Sequence, residues 1–113
     1  MTKALFLFSD GEYISFTVCG HASDISYEGR DTVCAAISSA VYLTANNITD
    51  IIGDNAEIKM RDGYFSLFLK DGYGKSSSGL IKGLLLHLNA LSKQYPENIK
   101  VKVINTSLSE VQR

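Results

Sequence analysis

One cysteine and one histidine in this chain have the types and the spacing for nucleophilic chemistry. Cys34 opens a run with helical periodicity, and Asp31 before it is a good N-cap residue, so the thiol is predicted at the third helical position. The partial positive charge of a helix N-terminus favours a thiolate over a thiol. His21 stands thirteen positions earlier, at the end of a predicted strand. The pattern therefore fits a Cys–His pair in which the histidine activates the thiol.

The same cysteine also fits a structural role. Cysteine is among the most buried residue types and packs as a small hydrophobe. Val33, Ile37 and Val41 recur at helical spacing and form an apolar face that Cys34 can simply border. Spacing alone leaves both interpretations open. The second cysteine, Cys19, is predicted on the solvent-side face of its strand, where it is either a structural residue or a spare thiol.

The elements that must position the pair follow from hydrophobic periodicity. Alternating runs predict five strands, and two helical runs predict two helices, in the order ββαββαβ. The strands are predicted over 3–8, 13–19, 56–60, 64–70 and 99–104, and the helices over 32–46 and from Ser77 or Ser78 to Pro96. This order predicts an α+β fold, a mostly antiparallel sheet with two helices, in a single domain over 1–113.

Local signals set the expected ends of these elements. The pair Asp62-Gly63 is a strong signal for a hairpin turn between the third and fourth strands. The pair Asn46-Asn47 predicts the end of the first helix, and Ser77 or Ser78 is the expected cap of the second. We expect residues 105–113 to form a frayed tail.

The loop 22–29 joins the two candidate residues. It is polar and ends in Gly29, with Ser23 and Tyr27 as further candidates for contact with a substrate. Such a loop suits a mobile gate over an active site, and it equally suits an ordinary surface connection.

Composition narrows the classes of function. A formal net charge of −1 with mixed acids and bases gives no basic patch, so we expect no direct nucleic-acid binding. The leucine-rich run 80–91 is too short to cross a bilayer, and the N-terminus lacks the pattern of a signal peptide. We therefore expect a cytoplasmic protein without a membrane partner. The two cysteines and two histidines show no metal-ligand spacing, and nothing indicates a cofactor.

A wider set of residues around the pair resembles the signature of a known family. The set resembles the ribosomal-processing cysteine protease family, called Prp, and consists of Gly20, His21, Ala22, Gly29, Asp31, Val33, Cys34, Ala35, Ala36 and Ser38. The order of elements and the closing segment 95–101 extend the resemblance over nearly the whole chain. The chain departs from the family pattern at Thr32, where the family usually has isoleucine, and in a loop that is one residue longer.

The resemblance implies a hydrolase with a role in ribosome biogenesis. It implies a homodimer that removes the N-terminal extension of a large-subunit ribosomal protein. In the implied chemistry Cys34 attacks the scissile carbonyl, and His21 takes the thiol proton and later gives it to the leaving amine. Backbone amides at the start of the first helix, including that of Cys34, would stabilise the oxyanion. Gly20 and Asp31 are the supporting residues, with Asp31 either capping the helix or orienting His21.

Two other classes of protein share these features. A non-catalytic, dimeric adaptor on the ribosome would use Cys34 only for packing. An acyltransferase that forms a thioester would use the same pair but needs a cofactor pocket that the sequence does not indicate. Rapid alkylation of Cys34 below neutral pH would separate an activated thiol from a buried one.

Overall fold

The computed structural model describes residues 1–20 and 30–106, apart from the side chains of Arg30 and Asp31. Five strands and two α-helices follow one another in these ranges in the predicted order ββαββαβ. They are β1 (Thr2–Ser9), β2 (Glu12–Cys19), α1 (Arg30–Asn46), β3 (Ala56–Arg61), β4 (Tyr64–Leu69), α2 (Lys75–Gln94) and β5 (Ile99–Asn105), with a π-helical segment at Asn47–Ile52 directly after α1.

The five strands form one mixed sheet in the order β3-β4-β2-β1-β5. The pairings of β1 with β2, β2 with β4, and β3 with β4 are antiparallel, and β1 with β5 is parallel. The prediction of a mostly antiparallel sheet is therefore confirmed. The parallel pair follows from connectivity, because β5 returns to β1 only after α2 has crossed the sheet.

Both helices cover the same face of the sheet. Phe6, Phe16 and Leu67 project from the three central strands into a core where each is fully buried. Ile37 of α1 and Leu88 of α2 close this core from above with 3% and 0% exposure. A single hydrophobic cluster thus joins every element of the described ranges and places α1 over β2 and β4, where the cleft described below opens.

The first helix continues past its predicted end. The pair Asn46-Asn47 does not stop it, because the chain stays helical to Ile52 and ends at Gly53 in the left-handed conformation, with φ of 85°. Ile48 explains the continuation, since its side chain is completely buried and the helical path carries it into the core. Tertiary burial outweighs the local stop signal here.

The second helix begins differently from the prediction. Its cap residue is Gly74, and no side chain of the neighbouring serines caps it. The carboxylate of Asp54 does so instead, because its Oδ2 accepts the Gly74 N–H at 3.0 Å and the Ser77 hydroxyl at 2.6 Å. The Ser77 bond first, and the Gly74 bond second, hold the pKa of Asp54 below its ordinary value of 3.8. Ser77 and Ser78 lie buried inside the first turn.

The segment expected to fray begins inside the sheet. Asn105 is the last residue of β5, and the Thr106 amide donates to the Phe8 carbonyl at 2.9 Å. The rest of the expected tail, 107–113, lies outside the described residues. In the part of the chain that the structure describes, neither helix has the length and apolar character that a bilayer span requires.

Candidate active site

A cleft of about 290 Å³ opens at one end of the sheet, between α1, the end of β2 and the β3–β4 hairpin. Cys34 lies in its wall as a free, half-exposed thiol. The other lining residues come from β1, the end of β2, α1 and the β3–β4 hairpin: Thr2, Val18, Gly20, Ile37, Ser38, Val41, Tyr42, Arg61, Asp62, Gly63, Tyr64 and Phe65. The thiol predicted to be the nucleophile is therefore accessible from a concave site.

Gly20 fixes the chain as it leaves β2 at the edge of this cleft. Its φ is +87°, a conformation that L side chains rarely adopt. A Cβ at this position would stand 2.5 Å from the Met1 carbonyl oxygen. The Gly20 amide also donates to the Gly63 carbonyl at 2.9 Å. Only glycine allows this close approach, which ties the end of β2 to the start of β1 and to the turn after β3.

The start of α1 differs from the prediction by two positions. The helix begins at Arg30, so Asp31 is its second residue and does not occupy the predicted cap position. Cys34 is the fifth residue and not the third. An amide at the fifth position already has an acceptor in the carbonyl four residues earlier. The amides without an intrahelical partner therefore precede Cys34 in α1.

The candidate histidine and its loop lie outside the described residues, as do Ser23, Tyr27 and Gly29. The structure does place Gly20, the residue directly before His21, in the same cleft as Cys34. Cys19 pairs with Tyr64 and lies on the sheet face opposite the helices, as predicted, while its neighbour Val18 faces the cleft.

Several residues of the cleft carry no signal in the sequence. The Arg61 guanidinium lies 3.9 Å from the centroid of the Tyr64 ring, a cation–π contact across the hairpin. The Tyr42 ring meets Phe65 edge-on at a centroid distance of 5.7 Å. The pair Asp62-Gly63 forms the predicted hairpin turn, and the fold additionally brings that turn into the wall of the site. Sequence spacing cannot show this, because the hairpin and α1 come into contact only once the sheet has formed and α1 has packed on it.

Among residues 1–20 and 30–106, no group of three or more histidine, cysteine or acidic side chains is placed to hold a metal ion. The chemistry available to the described cleft is that of a thiol among backbone donors and aromatic rings. A thiol in such a cleft can attack a carbonyl carbon, and backbone N–H groups can stabilise the negative charge that develops on the carbonyl oxygen.

Comparison with known proteins adds the family. The model of the family described as Cysteine protease Prp matches residues 1–100. The chain belongs to this family. Prp members are cysteine proteases by name, which makes this protein a peptide-bond hydrolase of the thiol class. The resemblance read from the residues around Cys34 is thereby confirmed.

Named relatives agree with this assignment. The protein "Ribosomal processing cysteine protease Prp" of Staphylococcus aureus is 26% identical over 94 residues, covering 81% of this chain and 88% of the relative. The Bacillus subtilis protein of the same name is 24% identical over 98 residues, covering 81% and 87%. These are relatives at a distance where the family is shared and the substrate must be tested.

Solved structures share the fold. The S. aureus protease Prp in complex with a substrate peptide superposes with a TM-score of 0.82 at 23% identity, over 92% of this chain and 100% of that one. SMU.848 from Streptococcus mutans gives a TM-score of 0.83 at 27% identity, over 94% and 96%. The mixed five-stranded sheet with two helices is thus a fold that proteins of known structure also have.

Proposed function

We propose that this protein is a cytoplasmic endopeptidase that removes the N-terminal extension of a large-subunit ribosomal protein. Cys34 is the nucleophile and His21 the general acid and base. One observation carries the proposal: the half-exposed Cys34 thiol and Gly20, the residue before His21, line one cleft. Consecutive Cα atoms are about 3.8 Å apart, so the His21 backbone starts within one peptide unit of that cleft.

The reaction proceeds through a thioester. His21 takes the proton of the Cys34 thiol, and the thiolate attacks the scissile carbonyl carbon to give a tetrahedral oxyanion. His21 then protonates the leaving amine as the C–N bond breaks, which leaves the acyl group on the Cys34 sulfur. A water molecule, deprotonated by the same imidazole, hydrolyses the thioester and restores the thiol.

Residues around Cys34 and His21 have supporting roles in the proposed reaction. The free amides at the start of α1, before Cys34, point toward the helix N-terminus and can donate to the oxyanion. Gly20 supports His21 by fixing the backbone that leads into it. Asp31 lies in the first turn of α1, where its negative charge either stabilises the N-terminus of the helix or orients His21. The substrate would contact the loop 22–29 through Ser23, Tyr27 and Gly29.

Names given to relatives support a ribosomal substrate. The curated relatives are called ribosomal processing proteases, and S. aureus Prp has been crystallised with a substrate peptide and with a covalently linked product peptide. A covalent product is what a thioester mechanism generates. Neither a metal nor a cofactor has a part in these steps.

A homodimer is part of the proposal. An apolar groove of about 470 Å³ runs between α1 and α2 on the outside of the helical layer. Leu43, which is 62% exposed, lies in this groove, and Leu86 is 59% exposed on α2. Covering such side chains is a common reason for self-association. Sedimentation analysis of the purified protein tests this, with a monomer at all concentrations contradicting it.

The catalytic proposal is tested with ribosomal precursors from the same organism. The protein is incubated with each large-subunit precursor, and the intact mass of the precursor is measured. We expect the wild type to remove an N-terminal peptide from one precursor. The Cys34→Ala variant should remove none, and its free energy of unfolding should differ from that of the wild type by about 1 kcal/mol or less. Cys19→Ala is the matched control and should retain activity. Intact precursors in every wild-type reaction, with slow alkylation of Cys34, would instead indicate an adaptor.

A further inference from the structure

The edge strand β3 combines an open backbone edge with exposed apolar side chains. It stands at one end of the strand order, and no strand of the described ranges pairs with its outer edge. Ile58 and Met60 are 41% and 64% exposed. Exposed apolar residues on an open edge invite pairing with another chain, and proteins usually cover or charge such edges.

Charge and apolar character lie on opposite faces of β3. Ile58 is paired with Leu67 and Met60 with Phe65, so both project to the face that the helices cover elsewhere. The other face carries Glu57 and Lys59, whose charged groups are 3.7 Å apart. The charges therefore neutralise one another on the far side and leave the helix side of the edge apolar.

The backbone N–H and C=O groups of Ile58 and Met60 point away from the sheet. Asp62 and Gly63 form a two-residue turn, so Arg61 and Tyr64 are a hydrogen-bonded pair, and the pattern alternates from there. Lys59 and Glu57 thus direct their N–H and C=O groups toward β4. The bond from the Lys70 amide to the Asn55 carbonyl, at 3.0 Å, continues this alternation. Ile58 and Met60 direct theirs away from the sheet.

This edge leads into the candidate active site. The last residue of β3, Arg61, lines the cleft together with the turn that follows it. The Tyr42 ring, also in the cleft, packs edge-on against Phe65, the cross-strand partner of Met60. A chain paired with the outer edge of β3 therefore runs toward the residues that line the cleft together with Cys34.

We propose that β3 is a docking strand for the substrate of this protease. An extended peptide segment adds to the sheet as a sixth strand and exchanges backbone hydrogen bonds with Ile58 and Met60. Its apolar side chains at alternating positions pack on the side chains of the same two residues and on Tyr42. The occupant is a peptide substrate and not a second copy, because the edge is continuous with the cleft. This inference rests on the proposed function and names where its substrate binds.

The alternation along β3 gives a residue-level test. Amide hydrogen exchange is measured by NMR on Cys34→Ala, with and without a peptide that spans the cleavage site of the precursor. We expect the Ile58 and Met60 amides to exchange quickly in the free protein and at least about tenfold more slowly with peptide. The Glu57 and Lys59 amides, already bonded to β4, should not change. The control is a peptide of the same composition that carries charged residues at the alternating positions expected to pack on Ile58 and Met60.

A second measurement follows activity. Met60→Lys should lower kcat/KM for the peptide about tenfold, since it removes an apolar contact and leaves the thiol untouched. The rate at which iodoacetamide alkylates Cys34 should stay at the wild-type value. Lys59→Ala, on the opposite face of the same strand, is the matched control and should cleave normally.

Each opposite outcome overturns the docking strand. Unchanged exchange at Ile58 and Met60 with saturating peptide, or equal cleavage by Met60→Lys and wild type, would place the substrate elsewhere while the protease remains. Protection of both amides in the free protein that rises with protein concentration would assign the edge to a second copy. If wild type shortens no precursor, the proposed function itself fails, and the docking strand fails with it.

Discussion

Gly20 offers a direct measure of how much the close approach at the end of β2 contributes to stability and to the site. In Gly20→Ala two effects add. An alanine at φ of +87° is strained by about 1–2 kcal/mol, and its Cβ would lie 2.5 Å from the Met1 carbonyl oxygen. Relieving that overlap requires a backbone shift in β1 or β2. By comparison with overpacked cores, such a shift lowers the unfolding free energy by about 1–3 kcal/mol more.

Gly53 provides the matched control. Its φ is +85°, and a Cβ there would meet nothing within 4 Å. Gly53→Ala therefore carries the same conformational strain and the same change in the unfolded chain, without the overlap. We expect Gly20→Ala to lose about 1–3 kcal/mol more unfolding free energy than Gly53→Ala in urea titrations followed by circular dichroism.

Activity separates a structural from a positioning role for Gly20. A backbone shift of the order of 1 Å at the residue before His21 should lower kcat/KM for the peptide about a hundredfold, whereas Gly53→Ala should cleave at the wild-type rate. Equal unfolding free energies of the two variants would refute the close approach at Gly20. Normal cleavage by a destabilised Gly20→Ala would refute its role in placing His21.

Three further predictions concern the histidine, its loop and the cap of α2. His21→Ala should lower peptide turnover at least about a hundredfold in a steady-state assay, and unchanged turnover would remove His21 from the mechanism. The segment 22–30 should gain hydrogen-exchange protection when peptide is added to Cys34→Ala, while high protection that does not change would make the loop a fixed wall. Asp54→Asn should lower the melting temperature at neutral pH, because the lowered pKa of Asp54 adds stability above 3.8 that disappears as pH falls through the folded-state value. In calorimetry the difference from wild type should vanish in acid, and a difference that persists there would mean that the charge of Asp54 is not what stabilises the cap.

Sequence periodicity correctly predicted the elements that depend only on residues close together in the chain. The alternation in β2, the hairpin turn at Asp62-Gly63 and the helical stripe of α2 each follow from neighbours within a few residues, and each is in the structure. The end of α1 does not follow from its neighbours in the sequence, because elements far along the chain bury Ile48. The cap of α2 does not either, since Asp54 reaches Ser77 across 23 positions.

The candidate site divides in the same way. Cys34 and Gly20 are identifiable from residue type and spacing, because a helix start and a glycine after a strand are local features. Arg61 and Tyr42 come to line one cleft with Cys34 only when β4 pairs with β2 and α1 packs on the sheet. Propensity contains no information on that sheet order.

The position of β1 between β2 and β5 has a consequence for how the enzyme is made. The register joins Thr2 to Ile99, and the Thr2 amide donates to the Asn98 carbonyl at 2.9 Å, so β1 is completed by a strand that is synthesised after all the other elements described here. Until β5 emerges from the ribosome, β1 has a bare edge and the closing of a long loop has yet to occur. Thr2 is also part of the cleft wall. The protease therefore acquires its finished cleft wall only after β5 has been synthesised and has paired with β1.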